Sequence, residues 1–221
     1  MKALVIAPHM DDEVLGMGAT ISRRVSEGDE VFVCCVAHRV YGHQYDEKKN
    51  RFEMQCARSA QGVLGYKEIR FLGLPDERLD ACLQDIIIPV EKYLNEIRPE
   101  VVYVNHRGDN NQDHRAVFQA SMVALRPASN LDIRRVLCYE TPSSTEQAPS
   151  VPETAFLPNY YVNVSSHLER KIEAWRCYET EKREFPHPRS EEGIVLLARR
   201  RGVESGFKAA EAFVILRETC V

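Results

Sequence analysis

Short apolar runs alternate with longer amphipathic segments along most of the chain. Five of the runs have the length of strands, and the continuous apolar run 31–36 suits a sheet that is covered on both faces. The five runs are 4–7, 31–36, 69–72, 101–104 and 135–139. Helical spacing of apolar residues follows the first four of these runs, at 13–27, 51–64, 83–97 and 113–125. The polar stretch 38–50, between the second run and its helix, is predicted to be a loop near a site. This alternation predicts an α/β fold, a Rossmann-like, doubly wound and mainly parallel sheet with helices on both faces.

The last third of the chain departs from that alternation. Residues 141–159 are rich in Pro, Ser, Thr and Glu, which indicates a long loop, and such loops are often functional. Beyond it we predict a strand at 160–164, a helix at 165–181 capped by Ser165 or Ser166, a helix at 191–201 and a strand at 212–216. We expect a single domain, residues 1–221, whose C-terminal extension covers one edge of the sheet.

Two clusters of polar residues follow predicted strands. His9, Asp11 and Asp12 lie on the sharp turn between the first strand and its helix. A His and an Asp three positions apart can reach one metal ion, and Asp11 is then left beside it. The second cluster, residues 109–114, follows the fourth strand about a hundred residues later and ends at His114.

The strand order decides whether the two clusters meet. In an open parallel sheet, ligands bind beyond the carboxyl ends of the strands, where the winding reverses. With the order 3-2-1-4-5, the first and fourth strands are neighbours there. His9, Asp12 and His114 then form a His₂Asp set with an open position for water, which is typical of catalytic zinc sites. Asp11 is the natural general base for that water.

A simpler interpretation competes with the metal site. A His-x-x-Asp pattern at the start of a helix is usually only a cap. The second cluster favours a metal, because it places acidic and His residues at the matching end of another strand.

Composition and charge limit the partners. The 221 residues are 44% hydrophobic and 28% charged, with a net charge of −4, which argues against nucleic acid as the partner. No apolar run approaches the ~20 residues that span a bilayer, and the apolar start is too short for a signal peptide. The seven cysteines, odd in number and without zinc-type spacing, suit a reducing compartment. We therefore expect a cytoplasmic protein without a membrane span.

The two clusters carry a family resemblance. The chain resembles the PIG-L/LmbE family of zinc-dependent N-acetylglucosamine deacetylases, whose first motif, Pro-His-Pro-Asp-Asp-Glu, matches residues 8–13 with Met10 in place of the second proline. The second motif, His-x-Asp-His, matches at Asp113 and His114, whereas Asn111 stands in place of its first His. Shorter matches occur at 64–65, 74–76 and 186–190.

The resemblance implies the roles of the first site residues. His9, Asp12 and His114 bind Zn²⁺, or another divalent ion such as Fe²⁺. Asp11 acts as the general base on the metal-bound water. Glu13 is expected to cap the helix or hold an arginine rather than bind metal.

Two further residues have catalytic roles by resemblance. The histidine that Asn111 replaces is thought to polarise the substrate carbonyl, and Asn111 can donate a hydrogen bond there but not a proton. Members of the family carry a late histidine that faces the metal, for which His187 is the candidate. It would protonate the leaving amine, unless it is only a surface histidine in a Pro-rich turn.

Candidate substrate contacts are Arg51, Arg107, Asp109 and Glu140. The arginines would meet sugar hydroxyls or a phosphate, although such residues are more often solvated or in structural ion pairs. Glu140 follows the fifth strand and, with residues 141–146, is a candidate lid.

The implied reaction is removal of the N-acetyl group from an N-acetylated amino sugar or sugar conjugate, and a homo-oligomer is compatible with the resemblance. Two alternatives stay open: a metal-dependent hydrolase acting on another amide or a phosphoester, and a non-enzymatic sugar-binding module with a vestigial site. A dinucleotide-binding enzyme is disfavoured, since Gly16 and Gly18 fall inside the predicted helix, too late for a phosphate turn.

Overall fold

The structure is a computed structural model and describes residues 1–127 and 131–220. Its elements, in chain order, are β1 (Lys2–Ala7), α1 (Asp12–Ser26), β2 (Glu30–His38), β3 (Val40–Tyr41), β4 (Gln44–Tyr45), α2 (Glu47–Leu64), β5 (Glu68–Pro75), α3 (Gln84–Ile97), β6 (Val101–Asn105), α4 (Gln112–Ala124), β7 (Arg135–Tyr139), β8 (Tyr160–Asn163), α5 (Leu168–Arg176), α6 (Glu191–Ser205) and β9 (Ala210–Glu218).

The main sheet has seven strands in the order β5-β2-β1-β6-β7-β9-β8. The five strands from β5 to β7 run parallel, and they are the five predicted strands in the predicted order 3-2-1-4-5. β9 pairs antiparallel with both β7 and β8, so the C-terminal segment extends the sheet at one edge. The predicted fold class is confirmed, and the added antiparallel strands are the difference from it.

The side chains of β1 alternate between two apolar layers. Ala3 and Val5 pack into the cluster formed with α1, α2 and α5, whereas Leu4 and Ile6 pack into the cluster formed with α3 and α4. All four are fully buried. A fully buried Val, Leu or Ile side chain contributes about 1.5–3 kcal/mol to stability. Burial on both faces explains why the strand is continuously apolar. β1 lies inside the sheet between β2 and β6, and the turn that follows it carries His9.

Two predicted elements differ from the structure. The helix predicted at 165–181 is shorter, because α5 begins after His167 and ends at Arg176. Neither Ser165 nor Ser166 caps it, since the N-cap residue is His167. The Ser165 hydroxyl donates to Asn163 Oδ1 at 2.7 Å and holds the chain at the end of β8. The polar stretch predicted as a loop at 38–50 contains the β3–β4 hairpin and the first turn of α2.

All seven cysteines are free, and Cys34, Cys35 and Cys138 are buried in strands. They therefore behave as small apolar core residues. Within residues 1–127 and 131–220, no helix has the length and apolarity needed to cross a membrane.

Candidate metal centre and active site

The three predicted metal ligands meet beyond the carboxyl ends of two neighbouring strands. His9 and Asp12 lie on the turn after β1, and His114 lies in the first turn of α4, after β6. Because β1 pairs with β6, the two segments share one crevice despite their separation in sequence. His9, Asp12 and His114 are 5%, 0% and 2% exposed, and they form a group that could hold one ion. The predicted convergence of the two clusters is confirmed.

The three ligand atoms form a nearly equilateral triangle. Asp12 Oδ2 lies 3.3 Å from His9 Nδ1 and 3.2 Å from His114 Nε2, and the two nitrogens are 3.3 Å apart. Ligands bound at about 2.0–2.2 Å around a tetrahedral ion lie about 3.3–3.6 Å from one another, so the triangle matches such a site. Asp12 Oδ1 is also buried, with no hydrogen-bond partner among the described residues. The nitrogen and oxygen donors present here fit one divalent ion such as Zn²⁺.

Carboxylates support both histidines from behind. His9 Nε2 lies 2.9 Å from Asp76 Oδ1 and 3.4 Å from Asp113 Oδ2. His114 Nδ1 lies 2.7 Å from Asp109 Oδ2. A proton on each of these outer nitrogens leaves the inner nitrogen with its lone pair directed at the ion, which is the usual arrangement behind metal-binding histidines.

A second group of possible ligands, His9, Asp76 and Asp113, lies on the outer side of the His9 ring. Its carboxylates already accept backbone hydrogen bonds. Glu77 N donates to Asp113 Oδ2 at 2.6 Å and to Asp76 Oδ1 at 2.9 Å, and Leu79 N donates to Asp113 Oδ1 at 3.2 Å. We therefore assign these carboxylates to supporting His9 rather than to a second ion.

The pKa values of His114 and Asp12 shift in opposite directions. Burial by itself would lower the pKa of His114, but the charge of Asp12 and the bond to Asp109 raise it to about 9. Burial would likewise raise the pKa of Asp12, and the two histidines hold it well below its ordinary value instead. The two shifts reflect the attraction between the imidazole rings and the buried carboxylates around them.

Asp11 occupies a strained position at the start of α1. Its φ of 110° lies in the left-handed region, which a non-glycine residue rarely adopts and which is often found at functional sites. Glu13 stabilises this turn, since Glu13 Oε2 accepts from Asp11 N at 3.1 Å and Glu13 Oε1 accepts from the Tyr178 hydroxyl at 2.6 Å. Burial raises the pKa of Glu13 to about 7. Glu13 thus holds the turn, and no arginine bonds to it among the described residues.

Two arginines hold one oxygen of Asp11. Arg39 Nη2 donates to Asp11 Oδ2 at 2.6 Å and Arg189 Nη1 lies 3.3 Å from the same oxygen. Glu181 completes the cluster, 2.7 Å from Arg189 and 3.5 Å from Arg39. Asp11 Oδ1 is buried and has no partner among the described residues. Burial raises the pKa of Asp11 to about 6, while the two guanidinium groups oppose the rise.

Sequence reasoning did not find this arginine cluster. Arg189 lies within the motif match at 186–190, which was the one available signal. Arg39 and Glu181 belong to no motif, and only the fold brings them beside Asp11.

Asn111 caps α4, and its Oδ1 accepts from Asp113 N at 2.8 Å. The Nδ2 hydrogens of Asn111 are not used in that bond, so they can donate to a substrate carbonyl, as the predicted contact requires. Asn111 lines a cavity of about 530 Å³ together with His43, Asp76, Glu77, Gln112 and Asp113. Because Asp76 and Asp113 bond to the outer nitrogen of His9, this cavity lies on the outer side of the His9 ring.

His187 is half-buried, and its Nδ1 accepts from Arg189 N at 3.1 Å. Burial and the charges of Arg189 and Arg183 lower its pKa. No hydrogen bond among the described residues joins its ring to the three ligands. In the segment 186–190, Arg189 contacts Asp11. The role predicted for His187 stays a prediction.

Asp109 is 1% exposed; Oδ2 bonds to His114, and Oδ1 accepts from the Thr145 hydroxyl. With both oxygens hydrogen-bonded inside the protein, Asp109 orients His114. The substrate contact predicted for Asp109 stays a prediction.

The other candidate substrate contacts lie in ion pairs or at the surface. Arg51 is exposed on α2 and donates to Glu47 Oε1 at 2.7 Å, an ordinary pair within a helix. Arg107 is exposed just after β6. Glu140 accepts two bonds from Arg201, at 2.7 and 2.6 Å, so its carboxylate anchors the end of β7 to α6. Substrate contacts by these three residues remain predictions.

The chain is similar to known proteins in sequence and in fold. The chain is 36% identical over 146 residues to a protein of Escherichia coli (strain K12) named uncharacterized deacetylase YaiS, covering 64% of this chain and 74% of that protein. It is 26% identical over 223 residues to the diacetylchitobiose deacetylase of Thermococcus kodakarensis, covering 95% and 81%. The crystal structure of the conserved protein TT1542 from Thermus thermophilus superposes with a TM-score of 0.80 at 22% identity, covering 99% and 96%.

The family assignment follows from the segment that builds the centre. Residues 4–125 match the PIG-L family model, which is described as GlcNAc-PI de-N-acetylase, and this range contains all three ligand residues together with Asp11. The chain therefore belongs to the PIG-L family.

Proposed function

We propose that this protein is a metal-dependent hydrolase that removes the N-acetyl group from an N-acetylated amino sugar or sugar conjugate. The observation that carries the proposal is the triangle of His9 Nδ1, Asp12 Oδ2 and His114 Nε2 next to the carboxylate of Asp11, in a chain whose relatives are named deacetylases. The same triangle argues against a vestigial binding module, because a complete ligand set is present.

His9, His114 and Asp12 would hold the ion, for which we propose Zn²⁺. A bound divalent ion lowers the pKa of a water molecule and polarises a carbonyl oxygen. The residues behind the histidines, Asp76 and Asp109, keep the rings in the tautomer that leaves the inner nitrogens unprotonated.

Asp11 is the proposed general base. Its Oδ2 is engaged by Arg39 and Arg189, so Oδ1 is the oxygen that accepts a proton from the attacking water. The water oxygen adds to the amide carbon, and Asn111 donates an amide hydrogen bond to the carbonyl oxygen, where negative charge develops. The carbon–nitrogen bond then breaks as the nitrogen receives a proton from Asp11 or His187, and acetate and a free amine are released.

The sugar is proposed to extend from the metal centre past Asn111 into the cavity of about 530 Å³ on the outer side of the His9 ring. Its lining includes the carboxylate of Glu77 and the amides of Asn111 and Gln112. Such groups accept from and donate to hydroxyls, as recognition of a sugar requires.

Mass spectrometry of a panel of N-acetylated amino sugars incubated with the zinc-loaded protein tests the proposal. The expected result is loss of one acetyl group from at least one sugar, with an equal amount of acetate formed. A parallel panel of phosphoesters and non-sugar amides addresses the alternative hydrolase. Turnover in that panel alone would replace the deacetylase proposal.

A further inference from the structure

α1 is interrupted directly behind the metal-binding turn. Met17 has non-helical backbone angles, with φ −152° and ψ 26°, between two helical segments. In an unbroken helix the amides of Ala19 and Thr20 would bond to carbonyls four residues earlier. Here they donate to the carboxylate of Glu211, at 3.2 Å to Oε1 and 2.6 Å to Oε2. Side-chain groups thus take the place of helix hydrogen bonds at the break.

A buried lysine bonds to the part of α1 that precedes the break. Lys171 Nζ donates to the carbonyl of Leu15 at 2.8 Å and to Glu211 Oε1 at 2.6 Å. Both side chains of this ion pair are 4% exposed. Each charge is therefore balanced by its partner and by backbone groups of α1, which is the condition under which a buried ion pair is tolerated.

The pair comes from the C-terminal extension, which supplies none of the three metal ligands. Lys171 lies on α5 and Glu211 on β9. On the sheet side, Gly16 packs so closely on Tyr139 that an added Cβ would lie 2.2 Å from the ring. The first turn of α1 is thus held between Tyr139 and Lys171.

We propose that Lys171 and Glu211 are positioning residues for the metal centre. They stabilise the break at Met17, and the break sets the rotation of the first turn of α1, from which Asp12 contacts His114 and which Asp11 directly precedes. If the helix became continuous, that turn would rotate about the helix axis and carry both carboxylates with it. The proposal rests on the proposed function, because it gives the pair a role at that same centre.

The test compares two double variants that each remove one internal ion pair. K171M/E211M removes the pair at the break. R24M/D29N is the matched control, because Arg24 and Asp29 form an ion pair of 2.6 Å with side chains 12% and 10% exposed, at the opposite end of β1. Zinc affinity is measured by competition with a chromogenic chelator, and the visible spectrum is recorded after Co²⁺ loading. Hydrogen exchange is followed over residues 8–16 and at Ala19 and Thr20.

For K171M/E211M we expect zinc affinity at least about tenfold lower, as is typical when groups that position ligands are lost. We also expect a changed Co²⁺ spectrum. Exchange should be faster at residues 8–16, and also at Ala19 and Thr20, whose amides lose the carboxylate of Glu211. R24M/D29N should match the wild type in all three. Equal zinc affinity, spectrum and exchange in K171M/E211M and the wild type, with only a lower melting temperature, would overturn the proposal.

Two further outcomes are also decisive. If K171M/E211M does not fold, E211Q is measured in its place, because its amide oxygen can still accept one of the two backbone hydrogen bonds; the same three readouts decide. If the wild-type protein binds no zinc, the proposed function fails. The exchange of residues 8–16 then decides alone whether the pair holds the turn.

Discussion

His9 and His114, 105 residues apart in sequence, bring their inner nitrogens to 3.3 Å from each other. Each outer nitrogen is bonded to a carboxylate, from Asp76 and Asp109 respectively. The inner nitrogens are thereby left with lone pairs that can bind a metal ion. Asp12 Oδ2 supplies a third ligand atom at nearly the same distance from both nitrogens. A cation between the two nitrogens would bind both lone pairs, which makes this contact the core of the proposed metal centre.

Asp109→Asn is expected to weaken zinc binding about 10- to 100-fold, because a neutral amide orients and polarises His114 less well than a carboxylate. Chelator competition measures the affinity. Asp80→Asn, at an exposed site, is the control and should bind zinc as the wild type does. Unchanged affinity in D109N would contradict a role for Asp109 in orienting His114.

Arg189→Ala is expected to lower kcat at least about tenfold while zinc affinity stays the same. The variant removes one of the two guanidinium groups on Asp11 Oδ2, so the base is held less firmly, and misplaced catalytic groups lose rate steeply. Arg183→Ala removes an exposed arginine of the same segment and serves as the control. Equal kcat in R189A and R183A would contradict a positioning role for Arg189.

Asn111→Asp separates capping from catalysis. Aspartate caps helices as well as asparagine does, so the melting temperature should stay close to that of the wild type. It lacks the amide donor and adds negative charge where charge develops in the reaction, so kcat should fall about 10²-fold or more. Steady-state kinetics and a thermal melt measure the two effects. A wild-type kcat would exclude a carbonyl contact by Asn111.

Gly16→Ala is expected to destabilise the fold by about 1–3 kcal/mol, as overpacking of a tight core does. The new Cβ would lie 2.2 Å from the Tyr139 ring, whose hydroxyl donates to the carbonyl of Ile6 at 2.9 Å and cannot move freely. Urea unfolding measures the change. Gly62→Ala is the matched control, because no atom lies within 4 Å of its added Cβ. Equal stability of the two variants would show that the Tyr139 ring moves aside for the added Cβ at no cost in stability.

The sequence was sufficient for the central sheet and for the meeting of the two clusters. Continuous apolar runs specify doubly covered strands, and the switch-point rule places residues 9–12 and 109–114 at one edge. Contacts between distant segments could not be predicted in the same way. The break at Met17, the two arginines on Asp11 and the support of His9 by Asp76 all depend on tertiary packing, which no local pattern encodes.

The most direct test of the central claim is metal content after dialysis, measured by inductively coupled plasma mass spectrometry on the wild type, H114A and D11N. We predict about one zinc ion per chain in the wild type and in D11N, which keeps all three ligands. We predict loss of that ion in H114A, and loss of deacetylation in both variants. Zinc retained in H114A, or absent from the wild type, would contradict a centre built from His9, Asp12 and His114.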